Sequence, residues 1–243
     1  MSPLPEGALL LLAATRWEAC PLARRLRLKS VASGRFEGIV SDRGVVLVQT
    51  GVGPRRAAAA LSAIKPVAPG FVLAVSTGYA GALRSKFRPG DVVADLPASA
   101  EDMALQARAA AAQAGLDIHF ERIAHSDRVL GRPEDKRGLS ERENAGAVDM
   151  ETAALRDWAR PYGIPVLAAR AIIDAADEFL PEQAPGDGDG RALFDYALRH
   201  PSQLPAMALM GLRQWRIMPR YSLFLAKLLS ATAQARTASV EIN

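Results

Sequence analysis

The 243-residue chain has one cysteine, three histidines and no long apolar run. A lone thiol, Cys20, excludes an intrachain disulfide and suits a reducing, cytoplasmic setting. His119, His125 and His200 are scattered along the chain, so no metal centre is expected. The longest uninterrupted apolar stretch, Ala8 to Ala14, is far shorter than the roughly 20 residues a membrane-spanning helix needs. The start, Met1-Ser2-Pro3-Leu4-Pro5-Glu6, lacks the basic opening of a secretory signal. Thr50-Gly51-Val52-Gly53-Pro54 lacks the third glycine of a dinucleotide fingerprint, because Arg56 stands in its place. A Gly-x-Gly turn of this kind can hold an anion at a helix start, but it is no Rossmann site. From Ser202 to Val240 acidic residues are missing altogether.

What is present is a series of buried strands, each leading into a helix. Apolar residues make up 49 % of the sequence, and the length suits one substantial core. Ala8 to Ala14 is continuously apolar, as in a strand covered on both faces, and runs into Thr15-Arg16-Trp17-Glu18 and a helix. Pro21 fits that helix only in its first turn. Phe36 to Val40 and Gly44 to Gln49 read as a hairpin turning at Asp42-Arg43-Gly44. Phe71 to Val75 is another buried strand, followed by Ser76-Thr77-Gly78-Tyr79-Ala80-Gly81. Ser99-Ala100-Glu101-Asp102 opens an alanine-rich helix ending at Gly115, and Asp117 to Ala124 is strand-like.

Two later segments carry the chemistry. Ala145 to Val148 leaves a strand at Asp149-Met150-Glu151, where a helix over Thr152 to Tyr162 begins. Pro165 to Ile173 is a second apolar strand, ending at Asp174-Ala175-Ala176-Asp177. Carboxylates at helix starts can be simple caps. Two acids at neighbouring strand ends also suit an enzyme pocket, where open α/β sheets bind ligands.

Val148-Asp149-Met150-Glu151-Thr152-Ala153-Ala154, with Ala169-Arg170-Ala171-Ile172-Ile173-Asp174-Ala175-Ala176-Asp177 and the glycine segment at 76–83, resembles the superfamily of purine nucleoside phosphorylases and methylthioadenosine/S-adenosylhomocysteine nucleosidases. The resemblance spans roughly residues 7–180. It implies a single-domain α/β, three-layer phosphorylase/hydrolase-like fold, a twisted mixed sheet flanked by helices, over residues 1–243. It further implies cleavage of a purine N-glycosidic bond with adenine as leaving group, and assembly as a homodimer or larger homo-oligomer. Asp174 is then the general acid toward the base, and Met150 and Glu151 hold the ribose. Glu18 orients the nucleophile, and Val129 and Leu130 clamp the base. Arg16, Thr77, Gly78 and Tyr79 lie on the phosphate or nucleophile side, although Arg16 also reads as an incidental surface residue.

No cofactor is implied beyond inorganic phosphate as co-substrate, and phosphorolysis is the expected reaction. Tyr79 departs from the small hydroxyl residue usual at its position, which leaves methylthioadenosine-type hydrolysis as the alternative. A non-catalytic nucleoside- or lipid-binding module is a further alternative. The short stretch between Val93 and Glu101, together with the tail from Pro201, resembles the hopanoid-biosynthesis-associated branch. That branch implies a substrate with a bulky apolar 5′ group, such as adenosylhopane.

Residues 178–190 read as a flexible acidic loop, a lid or a linker, whose Asp-Gly alternation does not match a calcium loop. Residues 200–236 read as a basic amphipathic region of two helices broken at Pro219. Packing on the sheet and peripheral contact with the inner membrane face are both open for it. No nucleic-acid recognition module accompanies the net charge of +4.

Overall fold

The computed structural model describes residues 7–64, 70–97, 100–180, 195, 196 and 198–240, with the backbone alone over 233–240. In chain order the strands are β1 (Ala8–Ala13), β2 (Lys29–Ala32), β3 (Arg35–Val40), β4 (Arg43–Gln49), β5 (Phe71–Ser76), β6 (Tyr79–Ala82), β7 (Val92–Asp95), β8 (Ile118–Phe120), β9 (Ile123–His125), β10 (Ala147–Asp149) and β11 (Val166–Asp174). The helices are α1 (Arg16–Arg25), α2 (Pro54–Ser62), α3 (Glu101–Ala114), α4 (Pro133–Glu143), α5 (Thr152–Ala159) and α6 (Leu204–Val240).

All the strands join one mixed sheet, in the order β2-β3-β4-β1-β5-β11-β6-β10-β9, with β7 and β8 branching from β11. The centre is parallel: β1 lies between β4 and β5, and β11 follows β5. Because strand side chains alternate, β1 feeds two apolar layers at once. Leu9, Leu11 and Ala13 pack toward α1, α3 and α6, and Ala8, Leu10 and Leu12 toward α2 and α5. That is why its sequence is apolar without interruption.

β5 and β6 are two stretches of one line, interrupted at Thr77-Gly78, and β11 runs parallel beside both. The interruption opens the sheet, and the ends of β10 and β11 lie on either side of β6. Asp149 and Asp174 close those two strands. The mixed sheet with helices on both faces is the expected fold class.

Several local expectations are corrected. The hairpin turns at Ser41 and Asp42, both left-handed (φ 47° and 65°), and Arg43 and Gly44 already belong to β4. A two-residue turn of that hand matches the twist of the strands it joins. α1 begins at Arg16, so Pro21 sits inside the helix, where it removes the bond to the Trp17 carbonyl. The start is fixed earlier because Glu18 reaches back to accept the Thr15 backbone N–H at 2.7 Å. Asp117 to Ala124 is two short strands, and a helix, α4, follows where the sequence offered little apolar pattern. Ser99 lies outside the described residues, as does the acidic loop from 181 to 190.

The tail is one helix across Pro219, not two. An interior proline costs about 3 kcal/mol. Ile217, Met218, Tyr221, Phe224, Leu225, Leu228 and Leu229 are all buried against the sheet and its helices. Each such burial stabilises by about 1.5–3 kcal/mol, so packing outweighs the proline. No helix among the described residues is long and apolar enough to cross a membrane.

Candidate active site

A single arginine interrupts the apolar strand β11. Arg170 is 1 % exposed, and a buried guanidinium must be paired. Its Nη2 lies 2.9 Å from Asp149 and donates to Ser76 Oγ at 2.6 Å. Its Nη1 lies 3.3 Å from Glu151 and donates to the Tyr79 carbonyl at 3.2 Å. Burial works against the charge, but Asp149 and Glu151 outweigh it and hold the guanidinium firmly protonated. Arg170 therefore ties the ends of β10 and α5 to the β5–β6 break.

Glu151 is buried at the start of α5, and its Oε1 accepts the backbone N–H of Gly53 at 2.8 Å. The anion held by the Gly51-Val52-Gly53 turn is thus a carboxylate of the chain itself. Gly53 has φ 99°, a conformation that side chains other than glycine's rarely adopt. Burial pushes the Glu151 carboxyl upward, and Arg170 opposes it. Asp149 turns inward instead, accepting the Thr152 N–H at 3.2 Å and a short bond from the Thr152 hydroxyl.

Glu18 comes from the opposite side, on α1. It is buried, and its Oε1 accepts the Tyr79 N–H at 3.1 Å. Burial raises this carboxyl as well, with Arg170 again opposing. Gly78 lets Glu18 approach the chain: a Cβ there would lie 2.5 Å from Glu18 Oε1. The Gly78 N–H donates to Tyr221 Oη at 2.9 Å, and that hydroxyl makes a short bond to the Ala169 carbonyl. α6 thereby braces the break from behind.

Asp174 is 2 % exposed at the end of β11. Its partner is Lys136 of α4, which is 1 % exposed, with Nζ 2.6 Å from Asp174 Oδ2. The same ammonium donates to the carbonyls of Ala175 at 2.7 Å and Glu178 at 3.0 Å, so its three protons are all used. Burial pushes the Asp174 carboxyl up to about 6, with Lys136 pulling the other way.

These groups surround one cavity of about 240 Å³. Its polar corners are Glu18, Glu151, Arg170, Asp174 and Lys136, and Val129, Leu130, Met150 and Tyr79 also line it. Of the residues singled out from sequence, Glu18, Tyr79, Val129, Leu130, Met150, Glu151 and Asp174 are brought together there. Three others are not on its wall. Thr77 is buried and donates its hydroxyl to the Leu12 carbonyl at 2.8 Å, a strand-joining contact. Gly78 acts from behind Glu18. Arg16 is exposed and lines a different concavity, between α1 and α6, because the helix turns it away from Glu18. Sequence reasoning left Lys136 and Arg170 without roles. A charged residue inside nine otherwise apolar or terminal strand positions was the available signal for Arg170; the polar α4 gave none for Lys136.

Residues 94–190 match the family model described as the phosphorylase superfamily. The 5′-methylthioadenosine/S-adenosylhomocysteine nucleosidase of Staphylococcus aureus (strain MRSA252) is 27 % identical over 176 residues, covering 61 % of this chain and 76 % of that protein. Among solved structures, the same-named nucleosidase of Neisseria meningitidis, in complex with methylthio-immucillin-A, superimposes with a TM-score of 0.68 at 20 % identity, covering 92 % of this chain and 99 % of that one. Futalosine hydrolase of Helicobacter pylori superimposes with a TM-score of 0.66 at 18 % identity, covering 92 % and 97 %. Over residues 94–190 the chain is thus similar to the phosphorylase superfamily, and its fold is that of the methylthioadenosine/S-adenosylhomocysteine nucleosidases.

Proposed function

We propose that the protein hydrolyses the N-glycosidic bond of an adenine nucleoside that carries an apolar 5′ substituent. The observation that carries this reading is three buried carboxyls, Glu18, Glu151 and Asp174, delivered by separate elements to one cavity and all shifted upward. Breaking an N-glycosidic bond asks for a proton on the leaving base, support for a cationic sugar and an activated nucleophile. Asp174 is the general acid toward the base, steadied by Lys136. Glu151 binds the ribose hydroxyls with Met150 on the sugar face, and Glu18 takes the proton of the attacking water. Val129 and Leu130 pack on the base.

Water is favoured over the phosphate expected from sequence because a phosphate dianion needs free cations. Arg170 is occupied by Asp149 and Glu151, and Lys136 by Asp174. Arg128, at the rim, faces Asp135 at 3.5 Å, and Arg16 lines the other concavity. The relatives named as nucleosidases and the structural neighbour named as a hydrolase support the same choice. The apolar 5′ substituent is supported by the cavity wall of Leu180, Met210 and Ile173, and by the short connection between Asp95 and Glu101. Adenosylhopane, of hopanoid biosynthesis, is the substrate we propose on those grounds.

Adenine release from adenosine, methylthioadenosine and a long-chain 5′-alkyl adenosine tests the reading. We expect all three to be cleaved, the alkyl nucleoside with the highest kcat/KM. Release from none of them would leave a nucleoside-binding module without catalysis. Glu151→Gln should impair ribosides far more than 2′-deoxyribosides, because the lost contact is already absent in the latter; equal losses would reduce Glu151 to a helix cap.

A further inference from the structure

A second arginine-lined concavity lies apart from the carboxylate cavity. It is an open groove of about 930 Å³ between α1 and the first half of α6. Trp17 and Trp215 stand on its sides, 60 % and 75 % exposed, and Arg16, Arg24, Arg25 and Arg27 line it on the α1 side. No acidic residue lines it, since the one acid of α1, Glu18, is buried inward. None of those four arginines forms an ion pair among the described residues. Beside Trp215 on α6, Leu209 and Leu212 are each 42 % exposed, and Arg216 and Arg220 are exposed with them.

We infer that the α1–α6 face docks on an anionic phospholipid bilayer. Cations without acidic partners complement anionic headgroups, each worth on the order of 1 kcal/mol near such a surface, a factor of about five in partitioning. Exposed tryptophans settle at the headgroup level, and leucines reach the acyl boundary. Exposed leucines beside arginines distinguish this face from a nucleic-acid groove, where aromatic rings stack on bases and aliphatic side chains have no partner. The surface is built from two helices. The apolar residues of α6 from Ile217 to Leu229 are largely taken up by the core, so the part of α6 that faces outward here is Leu209, Leu212 and Trp215 with the arginines beside them. The sequence pattern left membrane contact open for the tail alone, beside packing on the sheet; α1 supplies about half of this surface.

The inference holds whichever nucleoside is cleaved. Flotation of the purified protein with phosphatidylcholine vesicles, and with vesicles of phosphatidylcholine mixed with phosphatidylglycerol, reads it directly. We expect binding to the anionic vesicles at low salt, weakening as salt rises, and little binding to the neutral ones. The variant Arg24→Gln/Arg25→Gln/Arg216→Gln/Arg220→Gln should lose on the order of 100-fold or more in partitioning, with an unchanged Tm and unchanged cleavage of soluble adenosine. Trp17→Ser/Trp215→Ser should weaken the binding that survives at high salt. Absence of vesicle binding by the wild type at low salt overturns the inference. So does binding that both variants retain in full. Binding of a DNA duplex or an RNA, in place of vesicles, through the same arginines would make the face a nucleic-acid site and overturn it too.

Discussion

Asp174 meets Lys136 where solvent scarcely reaches, and burial, opposed by that contact, sets when the acid holds its proton. With its carboxyl pushed up to about 6 by burial, Asp174 is protonated below that pH and ionised above it. In the proposed mechanism the acid form is the active one, so kcat/KM on adenosine should fall as pH rises through about 6. Lys136 is the charge that pulls the carboxyl down. Lys136→Met therefore moves the falling limb to higher pH, whereas a merely structural lysine would change stability and leave the limb where it was. Asp174→Asn should cut kcat by about 10² or more while nucleoside binding persists; turnover within a few-fold of wild type removes Asp174 from the role. Arg170 is a different case, because it joins Asp149 and Glu151 inside the protein. Arg170→Met leaves two buried carboxylates without their partner and should destabilise by about 3–5 kcal/mol in urea unfolding. A loss below about 1 kcal/mol would mean that the cluster is relieved by water. Asp174 and Glu151 were legible because motif and strand-end position both marked them, and Glu18 because of its distance from the first strand. Lys136 was not: its meaning depends on an approach to Asp174 from 38 positions earlier in the chain.

Elements were readable in proportion to how fully they are buried. β1, β5 and β11 are covered on both faces, and their apolar sequences, broken in the interior only by Arg170 of β11, say so. α4 is almost wholly polar, Pro-Glu-Asp-Lys-Arg-Gly-Leu-Ser-Glu-Arg-Glu, with Leu139 its one large apolar residue, so no helical stripe announces it. β8 and β9 are three residues each, too short for alternation to show. In α6 the local signal of Pro219 lost to tertiary packing that no local pattern expresses. That continuity has a consequence. Pro219→Ala restores an N–H to the helix interior and should raise Tm, by about 2–4 °C for each kcal/mol recovered of the roughly 3 that proline costs. A lowered Tm would show that the packing of Ile217 and Tyr221 requires the proline's bend.

The whole molecule places a braced break in a parallel sheet beneath a small carboxylate cavity, with a basic, aromatic face on the neighbouring helices. The buried central strands and the closing acids were foreshadowed by sequence; the pairing of every cavity cation was not, since it arises only when β10, β11, α1 and α4 converge. That pairing underlies the central claim, that water and not phosphate attacks the sugar. The most direct measurement follows the ribosyl product of wild-type turnover on adenosine in 18O-labelled water, with and without inorganic phosphate. Hydrolysis predicts adenine release at the same rate in both, with label in the hydroxyl at C1 of ribose. A rate that depends on phosphate, with unlabelled ribose 1-phosphate as the product, would contradict it.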